Sequence, residues 1–513
     1  MRQLFILFLA ISFQSVSGQQ YDSTFNGNGF VTGAALFDGI NMTEDPADIL
    51  YETSTGKLIM LNQYNGGGST LLRFNSDGAY DAEFGGDGIE EYPFINTESF
   101  INIFQNGDGY RLTGRNSPEF DTYSPFLKEI NADGSINTVF GDDGINTVYG
   151  IDSFIVKASC KGSSGRIILV GYEVDWDIGA GIMAFNPDGS YDASFGYNNL
   201  EGFNYSYYRS VMELPDGRIL VAGEVQFNPG EFSSAMIMCL LADGSLDETF
   251  GVSGFLFPEL AFAHNQFVIE EITLSEDGNI YGAGFVSTPG DGTKEMIIKF
   301  NDSGELIAEF GDGGYYFLDS IIAIYPVHLV TDISNNLYLM EVSHPEGDAT
   351  DQTIIHKILP NGEPDFSFSN GVPGEFLIQI PGMASYYEIT GKQMIIQPDG
   401  KLVVVGKTDG LSANDDFFIG RIITNEAPTA IEEHEIIKTV SVFPNPATEF
   451  ITIESERFMQ SLEILSSDGK IVFSSQSKDQ SDILDVKNLI PGFYLLHIQF
   501  GADEFVNRYF VKD

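Results

Sequence analysis

The chain has 513 residues, 43% of them apolar, and sets 25 Lys and Arg against 74 Asp and Glu for a formal net charge of −49. That apolar share excludes global disorder, and so acidic a surface would be repelled by nucleic acid and by anionic membranes. Two cysteines, Cys160 and Cys239, exclude a disulfide framework and a four-thiolate metal site. The chain opens on Met1-Arg2, the apolar run Leu4–Ile11 and the small residues Val16-Ser17-Gly18 ahead of Gln19. A positive start, a greasy middle too short to span a bilayer and a small-residue cleavage site predict a secretory signal peptide over 1–18. No later apolar run is long enough for a membrane helix, so the mature chain is expected to be exported and soluble, or held at a surface by other means.

From residue 19 to 424 one unit recurs. Its first anchor is a glycine turn followed by an aromatic and usually a second glycine, as in Asp77-Gly78…Phe84-Gly85, Asp188-Gly189…Phe195-Gly196 and Asp243-Gly244…Phe250-Gly251. The anchor phenylalanines stand at 25, 84, 140, 195, 250, 310 and 368, with spacings of 59, 56, 55, 55, 60 and 58. A second anchor falls between each pair, as in Gly165-Arg166-Ile167-Ile168-Leu169-Val170-Gly171, Gly217-Arg218-Ile219-Leu220-Val221 and Gly400-Lys401-Leu402-Val403-Val404. Each unit reads as four short strands joined by turns whose glycines supply positive φ. The second-anchor strands are apolar on consecutive positions, so both their faces must be covered. Sheets buried on both faces and repeated at this period predict an all-β, seven-bladed β-propeller. Its last unit reaches Phe417–Ile423 but lacks the Asp-Gly…Phe-Gly segment, and Tyr21–Asn26 carries the missing half. The N- and C-terminal strands are therefore expected to share one blade and close the ring without an exposed edge.

The units "FNPDGSYDASFG" and "LPDGRILVAGE" resemble the delta-60 repeat of bacterial secreted and surface proteins, over about residues 19–424. The resemblance implies a propeller-like fold and brings no established chemistry.

Residues 425–438 are charged and non-repetitive and read as a linker. Beyond them, short strands are predicted at Thr439–Phe443, Phe450–Glu454, Ser461–Leu465, Lys470–Ser474, Phe493–Gln499 and Val506–Val511, a small Ig-like β-sandwich over 439–513. "VFPNPATEFITIE", "SSDGKIVFSS", "NLIPGFYLLHI" and "NRYFVKD" resemble the type A C-terminal sorting domain of type IX secretion. The resemblance implies the type IX machinery as partner, export to the outside or the outer cell surface, and removal of the domain with release or anchoring to surface lipopolysaccharide. Its recognition positions would be Pro444, Asn445, Pro446, Gly469, Gly492, Tyr494 and Lys512, although turn geometry alone accounts for much of the proline and glycine pattern.

Motifs for chemistry are scarce. The six histidines show no His-Glu-x-x-His spacing, and neither a Gly-x-Ser-x-Gly elbow nor a Gly-Lys-Ser/Thr phosphate loop occurs, so no catalytic or cofactor-binding residue is assigned. Cys160 and Cys239 read as small core hydrophobes, with a disulfide between them left open. Asp22, Asp81, Asp192 and Asp247 each precede an anchor phenylalanine by three residues. They read as Asx turns that cap backbone N–H groups, while Asp142, Asp143 and Asp312 are the candidates for a calcium ion. Trp176, flanked by Asp175 and Asp177, could stack on a sugar or pack a blade edge. The expectation is a non-catalytic, surface-displayed or secreted propeller that binds a glycan or protein through its loops. The rival is a polysaccharide hydrolase or lyase with acidic residues in the axial channel.

Overall fold

The computed structural model describes residues 21–512 apart from 34–42, 65–67, 93–97, 118–122, 149–153, 174–178, 196–197, 200–201, 290–291, 319–327, 344–350, 371–373, 381–387, 410–415, 425–439, 445–446, 456–457, 467–469, 491 and 502–503. The signal peptide and the linker of the sequence reading thus lie outside the described residues. The chain divides into two compact units, Met1–Glu426 and Ala427–Asp513. Every regular element among the described residues is a β-strand.

Among the described residues the first unit holds seven four-stranded antiparallel sheets. Six are built from consecutive strands, such as Tyr205–Glu213, Ile219–Gln226, Ser234–Leu240 and Phe255–Leu256. The seventh takes Ile389–Ile396, Leu402–Thr408 and Asp416–Ile422 from the end of the unit and Phe30–Gly33 from its beginning. There Phe30 pairs with Gly420 and Gly33 with Phe417, Tyr21 bridges to Ile422, and the Asp22 amide donates to the Arg421 carbonyl at 2.8 Å. The ends of the repeat region therefore meet in one sheet, as their complementary sequences require. The first strands of the sheets also touch in an unbroken cycle, from Glu44–Tyr51 through Ser99–Asn106, Phe154–Lys161, Tyr205–Glu213, Gln266–Leu274, His328–Thr331 and Ile389–Ile396 back to Glu44–Tyr51. This is a closed β-propeller with those strands innermost.

Second strands carry the core. Ile167–Val170, Ile219–Ala222 and Leu402–Val405 are fully buried on consecutive residues, because one pleat face packs on the preceding sheet and the other on the following one. The clusters run accordingly from sheet to sheet: Leu220, Ala222 and Cys239 pack with Phe267, Ile269 and Ile298. Burying each such side chain contributes about 1.5–3 kcal/mol.

The second unit is a two-sheet sandwich. One sheet orders Val440–Phe443, Phe450–Ser455 and Ser481–Asp485; the other orders Ile471–Gln476, Ser461–Ser466, Gly492–Gly501 and Glu504–Lys512. Ile451, Ile453 and Leu484 from the first face Leu462, Ile464, Leu496 and Ile498 from the second. Ser481–Asp485 is the strand that the sequence reading lacks. Its sequence, Ser-Asp-Ile-Leu-Asp, buries only Leu484, leaving no alternation to read.

Candidate functional site

Chain direction gives the propeller two unlike ends. In each sheet the turn between the first two strands and the turn between the last two emerge at the same end, and both recurring anchors sit there. The loops between second and third strands, and the crossings to the next sheet, emerge at the other.

At the turn end the anchors are joints between sheets. Asp192 Oδ1 accepts the Ser194 hydroxyl at 2.6 Å and the Ser194 and Phe195 amides; Asp247 does the same with Thr249, and Asp22 with Thr24. These are the Asx turns of the sequence reading. Each carboxylate also holds a cation: Arg73 lies 2.6 Å and Lys57 2.7 Å from Asp81, Arg421 2.8 Å from Asp22, and Lys357 2.8 Å from Asp365. The cation then reaches across the joint to a carbonyl in the next sheet's turn. Arg421 donates to Ser76, Arg73 to Ala132, Arg111 to Pro187, Arg166 to Ala242, Arg218 to Asp302 and Lys299 to Pro360. It also covers its own anchor ring, with Arg421 4.6 Å from the Phe25 centroid and Arg73 4.7 Å from that of Phe84. The next sheet's turn glycine closes the other side of the ring. At Gly189 φ is +84° and an added Cβ would stand 2.2 Å from the Phe140 ring. The Ser194 hydroxyl, more than the opposing effect of burial, holds Asp192 below the ordinary carboxylate range. Burial would raise Asp22 and Asp81, but hydrogen bonds from Thr24 and Lys57 and the adjacent cations outweigh it and hold both low.

Asp142, Asp143 and Asp312 also lie at this end, all exposed, Asp143 with φ +57°. The Asp142 and Asp312 amides donate to Ile145 and Tyr315 within the anchor turns. Among the described residues no three His, Cys, Asp or Glu side chains are grouped so that they could hold a metal ion.

Along the axis the innermost strands break register. Six of the seven carry a bulge, which passes over Ala47, Ile101, Lys157, Arg209, Glu270 and Lys392. A bulge leaves its residue out of the ladder and re-aims the side chain. Here five of the six line an axial cavity of about 350 Å³, to which His328 and Gln393 add the two remaining sheets. The residue after the bulge ties neighbouring sheets together. Asp48 Oδ2 accepts the Ile103 amide at 2.9 Å, Asn102 Oδ1 the Ser159 amide at 3.1 Å, Ser210 Oγ the Ile272 amide and Glu271 Oε2 the Leu329 amide, each at 3.2 Å. Burial raises Asp48 to about 6 against the pull of those donors, and it raises Glu270 despite the Arg209 guanidinium 2.9 Å away.

Beside this cavity two sheets meet in a ladder of rings. Tyr172 of the third sheet stacks on Tyr207 of the fourth with centroids 4.4 Å apart, and Tyr205 follows at 6.4 Å. Lys157 Nζ lies 5.4 and 5.6 Å from the Tyr207 and Tyr172 centroids, and the Arg209 guanidinium 4.4 Å from Tyr207. Arg209 bonds Glu224 at 2.7 Å. Tyr205 and Glu224 line a second cavity of about 600 Å³ with Gln226, Phe232, Asn265, Gln266 and Ser287. Around it the loop-end residues Phe227, Phe232 and Phe262 are exposed, and Phe227 packs on Phe203 and Phe257. Sequence reading missed this constellation, because its members recur in no other unit and the bulges depend on pairing.

Trp176 lies outside the described residues, as do Asn445, Pro446 and Gly469. Pro444 is exposed and follows a cis peptide bond. Gly492 pairs with Lys512, which also bridges to Ala447, and the Tyr494 hydroxyl donates to the Ile490 carbonyl at 2.7 Å. The structure thus brings Gly492, Tyr494 and Lys512 into neighbouring strands of one sheet. Both cysteines are free thiols, each raised by burial to about 12.

Family models match a stretch in each unit. The secretion system C-terminal sorting domain matches residues 441–512, and the DUF5122 beta-propeller, a domain of unknown function, matches residues 214–250. The chain is a β-propeller protein with a type IX secretion C-terminal sorting domain. That domain marks it for export to the cell surface or beyond through the type IX machinery. No curated protein matches the chain. Among solved structures it is similar to PorZ of Porphyromonas gingivalis, a surface component of the type IX secretion system, at 13% identity over 90% of this chain and 59% of that one, with a TM-score of 0.38. It is also similar to the endo-arabinase of Bacteroides thetaiotaomicron, at 9% identity over 64% and 99% of the two chains (TM-score 0.31). The β-propeller domain of the Trilobed protease of Pyrococcus furiosus is 10% identical over 76% and 98% (TM-score 0.34). The chain spans about six tenths of the PorZ chain.

Proposed function

We propose that the propeller is a binding module that works outside the cell and holds a glycan at its loop end. The observation that carries this reading is the tyrosine ladder running from the axial cavity to the second cavity, flanked by Lys157, Arg209 and the exposed phenylalanines. Rings, amides and hydroxyls converging on cavities of this size are the ordinary make-up of a small-molecule or sugar site. A hydrolase would need two carboxyl groups free to protonate and to attack. Those at the axis are engaged: Asp48 accepts three N–H groups, Glu270 pairs with Arg209, and Glu271 accepts the Leu329 amide and faces His328 at 3.1 Å. Cleavage of a signal peptide after Gly18 and removal of the sorting domain on export, with release or lipopolysaccharide anchoring, belong to the same reading. The test is a glycan array with a parallel hydrolysis screen on the full chain. Saturable binding without release of reducing sugar is expected, and turnover of a bound glycan would overturn it.

A further inference from the structure

Resting on that binding reading, we infer that the axial cavity takes the anionic group of an acidic sugar, a carboxylate or sulfate, with Lys157 as the charge that receives it. Lys157 differs from most cations of the propeller in having no carboxylate partner among the described residues. Lys57, Arg73, Lys128, Lys357, Lys392 and Arg421 each sit within 3 Å of a carboxylate. Lys157 has no ion pair or hydrogen bond among the described residues, in a chain where acidic groups outnumber basic ones three to one. It stays exposed, on a bulge that turns it out of the ladder toward the cavity.

Its surroundings mix both signs: Glu270 and Glu271 line the cavity too, held by Arg209 and by the Leu329 amide and His328, and two more cations stand close. Arg209 lines the same cavity from the next sheet, and Arg115, stacked 5.3 Å over Tyr123, is close enough for its charge to act on Lys157. Three cations thus stand near one carboxylate, Glu270, which Arg209 already engages, and like charges brought together cost stability unless anions balance them. Arg209 is already committed to Glu224 and Glu270, and Arg115 stacks on Tyr123 outside the cavity lining, so the free cation at the cavity is Lys157. The contacts to Tyr172 and Tyr207 hold the ammonium without using its three N–H donors. A cavity of about 350 Å³ is at the small end for ligand sites and suits one charged sugar residue.

The second cavity sets the polarity of the ligand. Glu224 and Glu231 line it beside Gln226, Asn265 and Gln266 with no Lys or Arg in the lining, whereas Lys157 and Arg209 stand beside the axial glutamates, so this cavity repels anions and bonds neutral hydroxyls. The expected ligand therefore places its charge at the axis and uncharged sugar along the tyrosine ladder.

The experiment is titration calorimetry on the full chain with oligogalacturonate, chondroitin sulfate oligosaccharide and neutral oligogalactan. An anionic probe should bind at least about tenfold more tightly than oligogalactan, and raised salt should weaken it. Lys157→Gln should remove that preference and Lys157→Arg should retain most of it, both with the wild-type melting temperature. Equal affinity for neutral and anionic probes, or an unchanged preference in Lys157→Gln, overturns the anion site and leaves the binding reading standing. Failure of every glycan on the array and in the calorimeter overturns both. Turnover of an acidic glycan whose binding still requires Lys157 overturns only the non-catalytic reading.

Discussion

The two ends of the propeller solve opposite problems with the same residue types. At the turn end Asp22, Asp192 and Asp247 each have a hydroxyl, an amide and a cation, and Arg421, Arg166 and Arg218 each reach a carbonyl in the next sheet, so charge is spent on joining sheets. At the axis and loop end, charge is left over. Lys157 is unmatched, and burial raises Asp48 and Glu270 even though N–H groups and Arg209 engage them, and raises Glu295 as well. A satisfied network repeated around a ring stabilises it; an unsatisfied group facing a cavity is open to a ligand.

The contrast is sharpest in mutations that cut one end and spare the other. Arg421→Met at the ring closure should cost the most, about 3 kcal/mol, because Asp22 keeps its burial and loses its closest cation. Urea unfolding measures it, and a loss below about 1 kcal/mol would mean that the joints do not hold the ring. Gly189→Ala comes next, at about 2–3 kcal/mol, since left-handed strain adds to a clash with Phe140. Gly230→Ala, at φ +82° with nothing within 4 Å, should show the strain alone, about 1 kcal/mol. Equal losses at the two glycines would remove the packing role of the anchor.

Acidity separates the ends in sign. The turn-end aspartates are held low, so their contribution is present above the ordinary carboxylate pKa and lost as pH falls through their folded values. Glu295 is raised, chiefly by burial and then by the charge of Glu341, so its contribution is full in acid and declines as pH rises above the ordinary glutamate range. Between pH 5 and 8 the urea midpoint should therefore fall less in Glu295→Gln than in the wild type. Parallel profiles would show that Glu295 is charged in the fold. The smallest effect on stability belongs to Lys157→Gln, within about 0.5 kcal/mol, as it removes no ion pair. A larger loss there would make Lys157 part of the scaffold.

Much of the fold was legible because the repeat encodes contacts between neighbours. The turn glycine and the anchor phenylalanine of adjoining units recur together because one packs on the other, and Asp22 and Arg421 complete the same joint across the closure. Asp365 was missed since its unit reads Phe366-Ser367-Phe368 and blurs the anchor, yet it binds Ser367 and Lys357 like its counterparts. The ladder and the axial cavity were not legible. Tyr172, Tyr207 and Lys157 come from three strands in two sheets and share no motif.

The order of residues by itself determined that sheets repeat, where each turns, that the first strand completes the last sheet, and that a sorting domain follows. Those features rest on local turn chemistry and on periodicity, which a linear string carries in full. Only the tertiary structure decided which side chains face the axis, because each bulge is a property of paired strands and shifts a residue off the alternation that sequence predicts. The free cation beside the rings became visible only once strand pairing had placed it against Tyr172 and Tyr207.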